Sequence, residues 1–305
     1  MVQRIAGRLV QSIMVVLVAS VIIFMLGRML GDPIALLLPP EATRADIANL
    51  RAHLGLDDPL PTQYWRFASN AVRGDFGRSI INRKPVIELM GDRFPATARL
   101  ALVAFVLGYA VSIPLGIISA YRYRTWIDTV VNTIAALGQS VPSFFFGILL
   151  ITLFSVKFQL LPAAGQGNLL NYVMPGATIM WLSLAGTTRI VRSSMLDVLS
   201  SDYIRTARAK GLSEPAVVLR HGFRNALIPL MGLSGLQFAA LLTGTVVVET
   251  VFAWPGVGRL AYQGIITRDY PVIQALTLTA TTVVVFVNLI IDILYSWADP
   301  RIRGV

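Results

Sequence analysis

The sequence contains no cysteine, only two histidines and only three lysines among its 305 residues. Without cysteine the chain has no disulfide, no thiol nucleophile and no thiolate to offer a metal. The histidines, His53 and His221, fall in predicted loops, so no Ser-His-Asp set and no metal cluster can be assembled from the sequence. We therefore expect no catalytic residue, no metal and no cofactor on this chain.

The few lysines also exclude an ATP-binding P-loop. That motif places a Gly-Lys pair at the start of a helix, where backbone amides and the lysine hold the phosphates. None of Lys84, Lys157 and Lys210 follows a glycine. If the chain takes part in ATP-driven work, the energy has to come from another polypeptide.

Charged residues are scarce as well, at 14% of the chain, whereas 55% of the residues are hydrophobic and the mean hydropathy is +0.68. A soluble domain of this size rarely has such a composition. The net charge of +10 comes from basic residues scattered between long apolar runs. This pattern is typical of membrane orientation and contact with anionic lipid, so we expect a lipid bilayer and no nucleic acid as partner.

Six apolar segments are long enough to cross a bilayer core of about 30 Å as helices. They cover approximately residues 9–30, 96–120, 133–156, 173–191, 228–250 and 272–297. The sequence thus predicts an all-α, polytopic membrane protein with six transmembrane helices. Its expected divisions are the N-terminus and first helix at 1–30, an extracytoplasmic loop with short helices at 31–95, and a transmembrane core at 96–305 with a cytoplasmic loop at 192–226.

Lysine and arginine are distributed unequally between the two sides of these spans. One set of flanks and short loops carries 13 of them, and the opposite short loops carry only Lys157, Arg259 and Arg268. Because cytoplasmic loops are enriched in basic residues, both termini are expected to be cytoplasmic. The loop 31–95, with eight basic and eight acidic residues, then lies outside.

Acidic residues within the spans lie near the span ends, with Asp292 close to the cytoplasmic end and Glu249 at the outer end. An ion-coupled secondary transporter, the alternative transporter class, would place charged groups at the membrane midplane. A membrane-embedded enzyme would need convergent catalytic residues. The remaining polar residues of the spans are expected to hydrogen-bond between helices; they are Asn132, Gln139, Gln237 and Asn288.

Small residues four positions apart recur in the second, third and fifth spans. They are Gly108, Ser112 and Gly116, then Ser143 and Gly147, then Gly235 and Ala239. Such stripes let helix backbones approach closely in lipid, and they can also line a wide substrate path.

Two short amphipathic helices are expected in the outer loop. Apolar residues recur at helical spacing from Ile47 to Leu54, just before Gly55, and again from Leu60 to Ala71, just before Gly74. Glycine at such positions is typical of a helix C-terminus. The loop is either a lid over the membrane ends or a docking surface or outer gate, and the sequence does not decide between them.

The loop between the fourth and fifth spans is too long for a turn and predicts two further short helices. Ser201 or Asp202 can cap the first, and Gly211 can end it. The second is expected to run from a Ser213 cap to Gly222.

On the first of these helices, Ala207 and Gly211 are four residues apart, which predicts a face with little side-chain bulk that a partner can approach. The basic residues around this face are Arg205, Arg208, Lys210, Arg220 and Arg224. The alternative is an interfacial amphipathic hairpin whose arginines contact lipid phosphates.

At this loop the sequence resembles a known family, the ABC-importer permeases. The run Arg205–Ala207 and Gly211 align with the E-A-A, three residues, G pattern of that family's EAA loop, and Ile228 and Pro229 align with its closing part. The first two positions depart from the general consensus. The runs R-T-A-R-A-K-G and H-G-F-R-N-A-L-I-P resemble the branch that holds the dipeptide, oligopeptide, glutathione and nickel permeases, and short matches extend across almost the whole chain.

The resemblance implies a type I ABC-importer permease fold in a prokaryotic inner membrane. It also implies a second, related permease subunit, two cytoplasmic ATPases that bind ATP and Mg, and an extracytoplasmic substrate-binding protein. The substrate would be a dipeptide or oligopeptide, with glutathione, haem or chelated nickel as alternatives. The loop would enter a cleft of an ATPase through its coupling residues, which are Arg205, Thr206, Ala207, Lys210, Gly211, Ser213 and Glu214.

Overall fold

The computed structural model describes residues 2–29, 43–53 and 55–298. Within these ranges the regular elements are helical, apart from one isolated β-bridge between Arg78 and Pro85. In chain order the α-helices are α1 (Val2–Met29), α2 (Arg44–His53), α3 (Leu60–Val72), α4 (Val86–Tyr121), α5 (Trp126–Ser140), α6 (Ser143–Leu150), α7 (Val173–Leu199), α8 (Asp202–Ala209), α9 (Arg224–Gly244), α10 (Val246–Val251), α11 (Val257–Thr267) and α12 (Tyr270–Ala298). A π-helical segment, Ile151–Lys157, extends α6; another, Ala216–Phe223, leads into α9; and a 3₁₀ turn, Leu169–Tyr172, leads into α7.

Within the described ranges, five helical segments are long and apolar enough to cross a membrane. They are Ala6–Met29, Val86–Tyr121, Leu169–Leu199, Pro229–Val251 and Tyr270–Ile291. Each overlaps a predicted span, and a sixth crossing results if the bent pair of α5 and α6 is counted as one. The all-α, polytopic architecture expected from the sequence is confirmed.

The third predicted span, at 133–156, is wrong as a single straight helix. Helix α5 and the extended α6 meet at an angle of 103°. Pro142 explains the break because its ring removes a backbone donor and disfavours the helical conformation at the preceding residue. Val141 accordingly has an extended backbone, with φ −88° and ψ 120°.

The second membrane helix also begins earlier than expected. It starts at Val86, ten residues before the predicted start at residue 96, and runs through Pro95. Its first turns contain the charged residues of 88–93, so an apolar-run criterion misses them. The burial of Val86, Leu89 and Met90 against Leu260 holds these turns in place.

Contacts divide the chain into two units, one formed by residues 1–95 and 256–289 and the other by residues 96–255 and 290–305. In the first unit, α2 and α3 confirm the two helices expected in the outer loop. Gly55 and Gly74 follow them with φ of +62° and +78°, the left-handed conformation that favours glycine after a helix. Helix α3 packs on α1, because the Tyr64 and Phe67 rings lie 5.6 and 5.7 Å from the Phe24 ring.

A buried carboxylate ties the segment before α4 to the start of α12 in the same unit. Asp269 is 2% exposed and accepts hydrogen bonds from Ser79 Oγ at 2.5 Å and from the Ile80 amide at 3.1 Å. Nothing in the sequence pattern predicts this contact, since 190 residues separate the partners. The contact therefore joins the segment before α4 to the residue that precedes α12.

In the second unit, the small-residue stripes pack helices against one another. A Cβ added to Gly116 of α4 would lie 2.6 Å from Val191 Cβ of α7, and one added to Gly108 would lie 3.1 Å from Ser183 Oγ. Gly147 of α6 faces the Phe252 ring in the same way, at 3.1 Å. These positions therefore need glycine because neighbouring helices approach closely.

Glu249 lies on α10 and is fully buried within this unit. Its Oε1 accepts hydrogen bonds from Thr97 Oγ1 and Thr245 Oγ1, both at 2.7 Å. The nearby Trp254 indole donates to the Ala96 carbonyl at 3.0 Å. This acidic residue at the C-terminal end of the fifth span thus joins α10 to α4.

Candidate functional site

The first part of the loop between α7 and α9 folds much as its helix-starting and helix-ending residues predict. Helix α8 starts after Ser201 and is followed by Gly211, whose φ is +78° and whose amide donates to the Arg208 carbonyl at 2.9 Å. Ser201 occupies the N-cap position, yet its hydroxyl donates to the Val198 carbonyl at 2.6 Å instead of capping α8. The helix boundaries were predicted correctly, and the capping hydrogen bond was not.

The second helix of the loop does not end at Gly222, which corrects the prediction. The π-helical segment Ala216–Phe223 continues directly into α9. Gly222 is buried inside it, and an added Cβ would lie 3.2 Å from Met195 Cε of α7. This glycine allows a close contact with α7, and His221, predicted in a loop, lies in the helical segment.

Ala207 does not form an open face with Gly211. It is 7% exposed and packs with Ile204 and Val217, against Val198 and Leu199. Ile204 and Ala207 are three residues apart and so share one face of α8, which the second helix covers. Gly211 lies beyond the last residue of α8, so the four-residue spacing did not place it on the same helical face.

The other predicted coupling residues form an exposed rim around the loop. Arg205, Thr206, Lys210, Gly211 and Ser213 are exposed, and a Cβ added to Gly211 would meet no atom of the described residues within 4 Å. Glu214 is half-buried.

An ion pair braces this rim. Arg208 binds Glu214 through two hydrogen bonds, Nε to Oε1 at 2.8 Å and Nη2 to Oε2 at 3.4 Å. The pair crosses the turn at Gly211 and joins the end of α8 to the start of the second helix. A two-point arginine–carboxylate contact fixes orientation as well as distance, so the turn has a defined shape.

A second ion pair, which the sequence analysis missed, joins three helices next to this loop. Arg192 of α7 binds Asp128 of α5 through two hydrogen bonds of 2.7 and 2.8 Å. Ser119 of α4 and Asn132 also donate to Asp128 Oδ1, at 2.5 and 2.7 Å. Arg192 was expected in the cytoplasmic loop, but α7 continues to Leu199. Opposite charges at the edges of two apolar runs are the only sequence signal for this pair.

A third polar contact lies within the spans. The Tyr109 hydroxyl of α4 donates to Gln237 Oε1 of α9 at 2.8 Å, and Gln237 Nε2 donates to Thr187 Oγ1 of α7 at 3.1 Å. The expectation that Gln237 hydrogen-bonds between helices is confirmed. Asn132 also bonds to another helix, through Ser119 Oγ at 3.3 Å.

Comparison with known families accounts for this arrangement. Residues 112–304 match the family described as the binding-protein-dependent transport system inner membrane component, and residues 1–101 match the N-terminal region of such membrane components. The chain belongs to this family. It is therefore a multi-pass inner-membrane permease subunit of an ABC importer, as the EAA-loop resemblance implied, and not an ion-coupled transporter or a membrane-embedded enzyme.

Individual relatives of this permease cover nearly its whole length. It is 44% identical over 304 residues to the glutathione transport system permease protein GsiC of Escherichia coli strain K12, with 99% of each chain covered. It is 43% identical over 304 residues to GsiC of Shigella flexneri serotype 5b, strain 8401, again with 99% of each covered.

A solved structure of the MetNI methionine ABC transporter in an inward-facing conformation has the same fold as this permease. The TM-score is 0.60 at 17% identity, over 70% of this chain and 97% of that chain. The ABC-importer permease fold expected from the sequence is confirmed.

Proposed function

We propose that this permease imports short peptides, glutathione among them, that an extracytoplasmic binding protein delivers. The observation that carries the proposal is the 44% identity to a named glutathione permease over 99% of both chains. Glutathione is itself a tripeptide, so a peptide path and a glutathione path need the same kind of polar lining. Haem and chelated nickel remain the alternatives within the branch that the loop motif resembles.

In this proposal the chain works as one subunit of a larger complex. A second, related permease completes the pathway, and two cytoplasmic ATPases bind ATP and Mg, with no cofactor on this chain. Family membership supports the ATPase and binding-protein partners. The excess of basic residues in the flanks and loop on the side of 192–226 supports the cytoplasmic location of both termini.

The exposed rim of the loop would be the contact with an ATPase. Arg205, Thr206, Lys210, Gly211 and Ser213 would enter its cleft, and Glu214 would act by bracing the turn through Arg208. Ala207 would not touch the ATPase and would instead support the rim, because it is buried against the second helix. Support comes from the exposure of the rim and from its two-point brace.

Movement of the rim would be transmitted to the membrane helices because helical segments connect the two directly. The second helix of the loop is continuous with α9, and α8 packs on the end of α7 through Ile204 and Leu199. A displacement of the rim would therefore tilt α7 and α9 together, and this suits a pathway that opens alternately to each side.

The test is uptake by the complete complex, expressed with its binding protein in cells that lack other peptide importers. Labelled dipeptide, tripeptide, glutathione, nickel chelate and haem are supplied separately, and a Walker-lysine variant of the ATPases gives the background. We expect ATP-dependent uptake of the peptides. Uptake of nickel or haem with no uptake of any peptide would refute the peptide assignment.

A further inference from the structure

The polar contact among Tyr109, Gln237 and Thr187 lies close to the middle of the membrane spans. Residue 184 is the centre of the span Leu169–Leu199, and residue 240 is the centre of Pro229–Val251. Thr187 and Gln237 are each three residues from these centres, which corresponds to about 4.5 Å along a helix. Helices α7 and α9 run in opposite directions. Thr187 comes after the centre of its span, and Gln237 comes before the centre of its own. Both residues are therefore displaced toward the same membrane surface.

The side chains of this polar contact are not all fully buried. Thr187 is 1% exposed, but Tyr109 and Gln237 are half-buried. Beside them, Gly186 leaves space in front of the amide, because a Cβ added there would lie 3.9 Å from Gln237 Nε2. Part of each of these two side chains is therefore exposed, and we call this exposed part the open face.

The open face still has hydrogen-bonding capacity. Gln237 Nε2 has two hydrogens, and Thr187 accepts one of them. The Tyr109 oxygen donates its only hydrogen to Gln237. The hydroxyls of Thr187 and Ser234 also lie beside this oxygen. Their hydrogens go to Gln237 Oε1 at 3.2 Å and to the Leu230 carbonyl at 2.6 Å, so the Tyr109 oxygen can still accept a hydrogen bond. Hydrocarbon cannot satisfy such groups, so polar side chains at this depth usually face a protein partner or a water-filled path.

Aromatic rings border the same surface. The Phe105 ring stacks on the Tyr109 ring at 4.4 Å, and the Phe238 ring meets Phe105 edge-on at 5.4 Å. A few fixed polar groups beside aromatic rings are the usual composition of a small-molecule site. A peptide bond offers one acceptor and one donor, which match the free Gln237 hydrogen and the Tyr109 oxygen.

We propose that Gln237 and Tyr109 contact the backbone amide groups of the peptide as it passes the middle of the membrane, with Thr187 positioning Gln237. The proposal rests on the proposed peptide function. Recognition of backbone groups explains how one path accepts peptides that differ in their side chains, since every peptide has the same amide.

The test compares uptake kinetics and basal ATPase activity of the reconstituted complex for wild type, Gln237→Leu and Tyr109→Phe. The probes are a tripeptide and the same tripeptide methylated on its peptide nitrogens. Thr178→Val is the matched control, because Thr178 is a buried threonine of α7 whose hydroxyl donates to the Met174 carbonyl of its own helix at 2.8 Å. The binding protein is the same throughout, so its own preference cancels from each ratio of variant to wild type.

We expect Gln237→Leu and Tyr109→Phe to lower kcat/KM for the tripeptide by about three- to tenfold, the size expected for a lost hydrogen bond. The loss under Tyr109→Phe should be smaller for the methylated peptide, which lacks the donor. Complex assembly should stay at the level of Thr178→Val.

Wild-type kinetics in both variants, or an equal loss for both probes under Tyr109→Phe, would overturn the site and leave only helix packing. Loss of the second permease on copurification would assign the surface to the subunit interface instead. If Gln237→Leu lowers membrane abundance, Tyr109→Phe decides, since it removes a single hydroxyl. Failure of the wild-type complex to import either peptide would refute the proposed function itself.

Discussion

Removal of the Asp128 carboxylate should destabilise this permease more than any surface change. Asp128 accepts hydrogen bonds from both sides of the Arg192 guanidinium, from Ser119, from Asn132 and from the Arg124 amide at 3.1 Å. These partners lie on α4, α5, α7 and the turn between α4 and α5. Asp128→Ala therefore releases three helices from one another at a single point.

The size of the effect follows from what the substitution leaves behind. The Asp128 and Arg192 side chains are 8% and 21% exposed, so the guanidinium would remain mostly buried without its counter-charge. Loss of one partner of a buried pair costs about 3–5 kcal/mol. We expect about 3 kcal/mol, near the low end, because Arg192 still reaches some solvent and keeps a contact with the Tyr123 ring at 5.4 Å.

The measurement is SDS-induced unfolding of the purified chain in detergent, followed by circular dichroism and tryptophan fluorescence. Asp197→Ala is the control, because Asp197 is an exposed acid on α7, and its loss should change stability by less than about 0.5 kcal/mol. The double variant Asp128→Ala with Arg192→Met should be more stable than Asp128→Ala alone, since it leaves no unpaired charge. Equal unfolding of Asp128→Ala and Asp197→Ala would refute the reasoning.

Two further predictions concern coupling and orientation. Gly211→Leu should leave membrane abundance and ATP hydrolysis normal but lower uptake. Gly211→Ala adds the same left-handed strain of about 1 kcal/mol without the bulk of leucine. It should therefore retain most uptake. Equal uptake by the two variants would contradict docking of Gly211 in a cleft. Val72→Cys, at an 89% exposed position, should react with an impermeant maleimide added to intact cells, and Ser213→Cys only after permeabilisation. The reverse labelling would invert the proposed topology.

Local chemistry made much of the fold and part of the site predictable. The ends of α2, α3 and α8 follow from Gly55, Gly74 and Gly211, because a left-handed residue after a helix depends on the backbone of a few neighbours. The membrane spans were equally accessible, since lipid selects for apolar length. The bend at Pro142 was missed because the apolar run continues through it, although proline carries the signal.

The sequence pointed to the residues that form the exposed rim of the loop, but it did not predict the burial of Ala207. Spacing alone placed Ala207 beside Gly211, whereas its burial depends on Val217, a residue of the next helix. The start of α4 was missed for a similar reason. Packing on Leu260, far along the chain, stabilises turns that are too charged to look like a membrane span.

The sequence by itself determined that this is a polytopic α-helical membrane protein and indicated the permease family, because apolar length and helix-ending residues act over stretches of a few to about 25 residues. Only the tertiary structure decided which polar residues meet. Asp128 meets Arg192 across 64 residues, Tyr109 meets Gln237 across 128, and Ser79 meets Asp269 across 190. Such pairs form where packing brings distant helices to one place, and a polar residue in a membrane helix does not indicate which distant residue will satisfy it.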